Sequence, residues 1–532
     1  MRRLALALLL TSCATPPRFA DRPVVTRVDD TRDIPRPASN EFYAFRYMAD
    51  VFVFRSATRA MELRTTQPAL STNAVDEVPD STWFTNRVGV REVTPEEAAT
   101  GPGTDGPPKP PFTIISGKSG GGNAGFVVKD TSGRAFLMKF DLKDNPQMQT
   151  ATDAIVSRLF WLMGWNVPAD YVVVFDRSEL SIGEGATTKD ELGEKRSLTD
   201  EDVDTALGTA PRRADGRFRA LTSTFVPGKV LGGIVPEGVR EDDANDTIPH
   251  EHRRELRGLL APAAWLNHTD MKEDNLLDTW VEEDGRHFVR HYLVDFGEAL
   301  GAHAAEKGRL EDGYEYFIDW SAVVRGLFSF GLWVREWESL ETSEFLSVGA
   351  FAAEPFDPYT WHEAYPFWAF DEADAADRYW GAKLVMSVRR DQLEAIVKEG
   401  RLSAEASAYL VDTLVARQKK VGRAFFGAVS PIDHLSARDD AWCGVDLGVA
   451  FGLGDHGVVE VLDDYGDDAE DVRSEITVDR EGAFCVPLAG DGYTVYRVRT
   501  RRGKEHRPVM QVHVMQDEWP RILGVIRVEP AR

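Results

Sequence analysis

The sequence predicts an α+β chain: a β-rich N-terminal lobe, a helical C-terminal lobe and a small all-β C-terminal domain. Three observations carry that expectation. From Phe112 to about Phe175, apolar runs of strand length alternate with glycine-bearing turns, around one longer helical pattern. From His250 to Phe425, apolar residues recur at spacings of three and four, as on helices packed against a core. Beyond Pro431 short β-type runs return, at Val458–Leu462, Ala483–Leu488, Tyr493–Val498, Met510–Val514 and Ile522–Val528. A chain of 532 residues is too long for one core, and roughly two to four domains are expected.

Composition narrows the function classes. Lys and Arg number 62 against 87 Asp and Glu, a net charge of −25. Such a surface repels phosphate backbones, and no basic stripe offsets it, so nucleic acid is excluded as a partner. Apolar content of 43% and charged content of 28% exclude wholesale disorder.

The N-terminus reads Met1-Arg2-Arg3, an apolar run Leu4–Leu10, then Thr11-Ser12-Cys13. The run is far shorter than the ~20 residues that span a bilayer, so residues 1–12 are read as a signal peptide. Leu10-Thr11-Ser12-Cys13 resembles the lipobox of bacterial lipoproteins. The resemblance implies cleavage before Cys13, acylation of Cys13, and an exported protein lipid-anchored to the membrane of the cell envelope. Ala14 after the cysteine points to the outer membrane if the cell is Gram-negative. Pro16, Pro17, Pro23, Pro35 and Pro37 make residues 13–40 an expected flexible tether. Cys443 and Cys485 are the other two cysteines. In an oxidising compartment they either pair as a disulfide or remain two buried thiols, and the sequence leaves both open.

Residues 41–235 form the expected N-terminal lobe, with a breaker run Gly101–Pro111 ahead of its strands. The polar stretch 176–217 reads as an insertion. Residues 236–430 form the helical lobe, with helices expected at His250–Leu266, Glu372–Lys398 and Ser403–Phe425, and residues 431–532 the β-rich domain. The acidic run Asp463–Asp471 does not match the spacing of a calcium loop and reads as solvated. Aromatic clusters at Phe328–Trp337 and Trp361–Phe370 read as core.

Four motifs stand in a meaningful order. Gly120, Gly122 and Gly125 satisfy G-x-G-x-x-G-x-V with Val127; such a loop lets backbone amides approach phosphates. Lys139 closes the apolar strand Phe136–Lys139. His268-Thr-Asp270-Met-Lys272-Glu-Asp-Asn275 follows, and then Val294-Asp295-Phe296-Gly297. A hairpin is expected between the last two, with its turn at Glu283-Asp284-Gly285, placing Asn275 and Asp295 at adjacent strand ends.

In that order the motifs resemble the protein-kinase-like fold: glycine loop, strand lysine, catalytic loop H-x-D-x-K-x-x-N, and D-F-G. The resemblance covers about residues 112–430. It implies two lobes with ATP bound between them, Gly120, Gly122, Gly125 and Lys139 facing the phosphates, and Asp270 as the base with Lys272 beside it. Asn275 and Asp295 become the Mg²⁺ ligands. Asp153, the one acid on the buried helix Gln147–Trp165, becomes the partner of Lys139. No Ala-Pro-Glu closes an activation segment, which places the likeness nearer the atypical branches: phosphoinositide, HipA-type and CotH-type kinases. The function implied is a membrane-tethered kinase that transfers phosphate from ATP to a hydroxyl of an unidentified protein or small-molecule acceptor. The alternative is a non-catalytic envelope lipoprotein that keeps the fold as a binding scaffold.

Overall fold

The computed structural model describes residues 18–62, 67–118, 123–190, 193–235, 237–303, 310–340, 343–454, 457–462 and 472–527. Residues 1–12, Cys13, Gly120, Gly122 and the acidic run 463–471 lie outside the described residues. The chain is a mixed α/β structure with several sheets.

Among the described residues ten strands precede residue 300: β1 (Phe112–Gly117), β2 (Gly125–Lys129), β3 (Ala135–Lys139), β4 (Asp170–Phe175), β5 (Leu180–Lys189), β6 (Lys195–Ser197), β7 (Phe218–Thr224), β8 (Lys229–Gly233), β9 (Leu276–Glu283) and β10 (Arg286–Leu293). The first seven form one sheet in the order β4-β7-β3-β2-β1-β5-β6, and the last three a second sheet, β10-β9-β8. Alternation drives the first sheet: Phe112 and Ile114, Phe126 and Val128, Phe136 and Met138 bury one face.

The helix Met148–Met163 packs against β4 and β7. Every residue in it except Trp161 is buried, including the polar row Gln149, Asp153 and Ser157. Gly164 ends it in the left-handed region, at a φ of 129°, where a Cβ would fall 2.2 Å from the Phe84 ring.

Several segments differ from the sequence expectation, and the cluster Phe328–Trp337, read as core, leaves Phe328, Phe330, Leu332 and Val334 exposed. The polar stretch 176–217 carries β5, β6 and a helix Asp200–Thr209, capped by Thr199. Leu180, Ala186, Leu198, Val203 and Leu207 reach the sheet's core; one apolar residue per turn is enough to dock a short helix but leaves the period faint. Residues 18–40 are laid along the body and are not a free tether. Val28 donates to Asp80 O at 2.8 Å, Ile34 to His287 O at 2.8 Å, and Asn40 bridges Gly232. Trp83, Phe84, Val88 and Val93, assigned by sequence to the N-terminal lobe, join the core of the helical region.

That region contains Arg254–Arg257, Leu260–Leu266, Ala375–Ser387, Arg390–Glu399 and Ala404–Gly427. Two expected helices are broken in two. Around Gly258 the chain leaves the helix between Arg257 and Leu260. Between Ser387 and Arg390 the helix restarts where Arg389 N donates to Gln392 Oε1 at 2.9 Å, and Gln392 Nε2 donates to Val93 O at 2.7 Å. The break satisfies a distant strand of chain, so no Gly or Pro marks it. Among the described residues no helix is long and apolar enough to cross a membrane.

Beyond Pro431 the described residues hold nine strands: β11 (Ile432–Ala437), β12 (Ala441–Asp446), β13 (Val458–Leu462), β14 (Val472–Thr477), β15 (Ala483–Pro487), β16 (Gly492–Arg502), β17 (Glu505–His506), β18 (Met510–Gln516) and β19 (Arg521–Arg527). They form a three-stranded sheet, β11-β12-β15, and a six-stranded sheet, β14-β13-β16-β18-β19 with β17 on β16. The register sets Cys443 opposite Cys485, and the two form a disulfide.

Candidate active site

The hairpin β2–β3 starts the site. Its register pairs Gly125 with Lys139, and a Cβ on Gly125 would fall 2.2 Å from Met138 O. Glycine is therefore required there by the neighbouring strand itself. Lys139 Nζ bonds Asp295 Oδ1 at 2.7 Å. Burial alone would lower the Lys139 pKa, but the carboxylates of Asp153 and Asp295 outweigh it and raise it. Desolvation likewise opposes the Asp295 charge, and Lys139 holds that carboxyl below its ordinary range.

The expected pairing of Asp153 with Lys139 is corrected here: the ammonium bonds Asp295. Asp153 Oδ1 instead accepts from Phe296 N at 2.9 Å. A Cβ on Gly297 would lie 3.0 Å from Asp153 Oδ2. The aspartate, one methylene shorter than glutamate, anchors the Asp295-Phe296-Gly297 turn while acting on Lys139 only through space. Burial drives the Asp153 carboxyl well above its ordinary range.

Asp295 takes a φ of 61° directly after β10, a left-handed conformation that a short polar residue tolerates. Phe296 is fully buried, with its ring stacked on Phe160 at 5.4 Å and 5.7 Å from His268. His268 is buried, and desolvation lowers its pKa to about 4. The imidazole is neutral near pH 7, and its place is in the packing between the two motifs.

Helix Leu260–Leu266 delivers the catalytic-loop residues. Asn267 turns out of it at a φ of 49°, and Asp270 follows, 4% exposed. Lys272 Nζ and Asn275 Nδ2 both donate to Asp270 Oδ2, each at 2.8 Å. Asn275 Nδ2 also reaches Asp270 O at 2.9 Å. Asp270 Oδ1 is buried and has no hydrogen-bond partner. Two donors on one oxygen leave the other as the loop's uncommitted acceptor. Desolvation acts against the Lys272 charge, and Asp270 raises its pKa nonetheless.

The β9–β10 hairpin connects the two motifs. Its register pairs Leu276 with Leu293, Val294 N donates to Asn275 O at 3.0 Å, and Asp284-Gly285 makes the turn with both φ values positive. Asn275 and Asp295 thus sit at neighbouring strand ends. The structure brings Gly125, Lys139, Asp153, Asp270, Lys272, Asn275 and Asp295 into one neighbourhood.

The donor set suits a hard cation shared with a polyphosphate. Asp295 is half exposed, the Oδ1 atoms of Asp270 and Asp274 are buried without partners, and all are oxygen donors. Among the described residues no three His, Cys, Asp or Glu side chains are placed to hold a metal alone. Two residues passed over at the sequence level also belong here. Asp170, at the start of β4, is buried with Oδ1 unpartnered and acts on Lys139 through space; nothing in its local sequence marks it. Lys118 closes β1, and its signal was a cation flanking the glycine loop.

A buried acid lies in the strand beside the loop, where Ala364 N donates to Thr269 O at 2.8 Å. Glu363 is 4% exposed, its Oε1 accepts Phe367 N at 3.0 Å, and burial pushes its pKa up to about 8. Between about pH 4.5 and pH 8 the folded chain keeps a proton that the unfolded chain has lost, so stability falls as pH rises through that window. Glu363→Gln keeps the acceptor and removes the proton. Its urea midpoint is expected to match wild type near pH 4 and exceed it at pH 8; parallel profiles would contradict the assignment.

No protein-family model matches the chain, and no curated protein matches it. Among solved structures it is similar to two of the Golgi casein kinase, one of them with Mn/ADP bound. Identities are 12% and 10%, covering 60% of this chain and 72% and 71% of those chains, each with a TM-score of 0.28. These are kinase-like structural neighbours, and at that score the likeness carries no weight beside the residue geometry.

Proposed function

We propose that this chain is an atypical kinase of two-lobed, kinase-like fold, which binds ATP with Mg²⁺ and transfers the terminal phosphate to a hydroxyl. We further propose that it works outside the cytoplasm, anchored to the envelope membrane through acylated Cys13. The carrying observation is the double clamp on Asp270 Oδ2, with Oδ1 left uncommitted, beside the Lys139–Asp295 pair. Bound ATP–Mg²⁺ supplies the phosphoryl group and neutralises its charge, with Asp295 and Asn275 as the metal's protein ligands. Lys272 and Asn275 fix the Asp270 carboxylate so that Oδ1 takes the acceptor hydroxyl's proton as the new P–O bond forms and the bond to the leaving diphosphate breaks. Lys139 and Lys272 offset the negative charge of the phosphates.

The test is transfer of label from γ-labelled ATP to the chain or to added hydroxyl acceptors, in wild type and in an Asp270 variant. Transfer that depends on Asp270 supports the kinase. ATP binding without any transfer supports the scaffold.

A further inference from the structure

Resting on the nucleotide-binding reading, we infer that Lys118 is a third phosphate-binding ammonium of this site, engaging the polyphosphate of the nucleotide from the β1 side of the glycine loop. Lys118 follows directly on β1, and its amide closes the hairpin by donating to Gly125 O at 3.0 Å. Its side chain does not extend into solvent. Nζ folds inward and donates to Asn123 O at 3.0 Å, half-buried. Gly125 permits this course: a Cβ there would stand 3.1 Å from Lys118 Cδ as well as against Met138 O. The charges facing Lys118 are Lys139, Asp295 and Asp153, the groups that line the site from β3, from the turn after β10 and from the buried helix.

Charge pairing singles this lysine out. Lys139 is matched by Asp295 and Lys272 by Asp270, in direct ion pairs. Lys118 bonds a backbone carbonyl and forms no ion pair among the described residues. A neutral carbonyl gives that charge no direct counter-ion; Asp295 and Asp153 act on it only through space, and burial together with the nearby Lys139 outweighs them and lowers its pKa. An incoming polyphosphate relieves both conditions, since it offers an anionic acceptor where only a carbonyl stands. In a chain of net charge −25, one unpaired ammonium at the mouth of an anion site matters more than in a neutral one. The Gly117-Lys118-Ser119 triplet is thus not a Walker loop, which needs a glycine where Phe112 stands, yet its lysine meets the same chemical need.

The experiment is calorimetric titration of the full chain with ATP–Mg²⁺ and with adenosine, for wild type, Lys118→Met and Lys118→Arg. Lys118→Met is expected to weaken ATP binding roughly 10- to 100-fold, the scale of a lost charge-assisted contact. Adenosine affinity stays at its wild-type value, and Lys118→Arg stays within a few-fold of wild type for ATP. Equal losses for ATP and adenosine would mean that Lys118 only props the hairpin, and unchanged ATP affinity in Lys118→Met would exclude the contact; either overturns the inference. If wild type itself binds no ATP, the nucleotide reading fails and this inference with it. If wild type binds ATP and Lys118→Met binds it equally well, only the inference fails.

Discussion

Asp270→Asn is expected to slow phosphate transfer roughly 10²- to 10⁴-fold, the usual worth of a positioned general base, while nucleotide affinity stays within a few-fold. The reasoning is local. Asp270 Oδ2 is held from two sides by Lys272 and Asn275 at 2.8 Å. An asparagine fills the same volume and still accepts on its one oxygen, so the loop keeps its shape. It has no carboxylate to take a proton, and an amide turned toward Lys272 would set donor against donor. The rate with γ-labelled ATP and the affinity for ATP–Mg²⁺, measured separately, show which is lost. A variant with an unchanged rate would remove Asp270 from the chemistry, and a variant that binds nucleotide poorly would make it a structural residue.

Asp377→Ala is expected to cost about 3–5 kcal/mol of stability, the scale for removing one partner of a buried ion pair. Asp377 is fully buried and accepts Arg254 Nε at 3.0 Å and Arg257 Nη1 at 3.3 Å. Arg257 is itself fully buried and Arg254 nearly so. The same carboxylate closes the reciprocal cap with Asp374 at the start of helix Ala375–Ser387. Its loss leaves two guanidinium groups short of a counter-charge just before the helix that delivers His268 and Asp270. Arg254 retains Asp76, and Arg257 retains the carbonyls of Glu251 and Gln67, which keeps the loss within that range. The urea midpoint of the full chain reads it, with Asp377→Asn expected to lose less; a loss below about 1 kcal/mol in Asp377→Ala would show that the pair is dispensable.

The site was legible in sequence because its motifs are local. A loop of form H-x-D-x-K-x-x-N needs one helix end and one turn to fold, and a hairpin of fixed register carries it to Asp295. Helix Met148–Met163 was readable for the same reason, since Ile155, Val156, Leu159, Phe160, Leu162 and Met163 crowd its second half with apolar residues on nearly every side. The contacts that sequence order hides are non-local. The Lys139 ion pair joins residues 156 apart in the chain, and only their three-dimensional placement shows that Asp295 takes the ammonium while Asp153 accepts from Phe296 N. Residues 18–40 carry prolines and charges, as tethers do, and are held by backbone bonds and by the side chains of Asp30, Asp33 and Asn40, whose partners all lie far along the chain. The stretch 176–217 buries single apolar residues spaced by polar ones, and β5 pairs in parallel with β1 across more than sixty residues. Lys118 carries no complete phosphate-loop motif around it, and its direction into the site depends on Gly125 lying beneath its stem.

The measurement closest to the central claim is calorimetric titration of the full wild-type chain with ATP in the presence and absence of Mg²⁺, repeated with Asp295→Ala. The account predicts saturable one-to-one binding that strengthens with Mg²⁺ in wild type. It also predicts loss of that Mg²⁺ dependence in Asp295→Ala, where the metal's carboxylate and the Lys139 partner disappear together. Absence of ATP binding in wild type, or an Asp295→Ala variant with the same Mg²⁺ dependence as wild type, would contradict it.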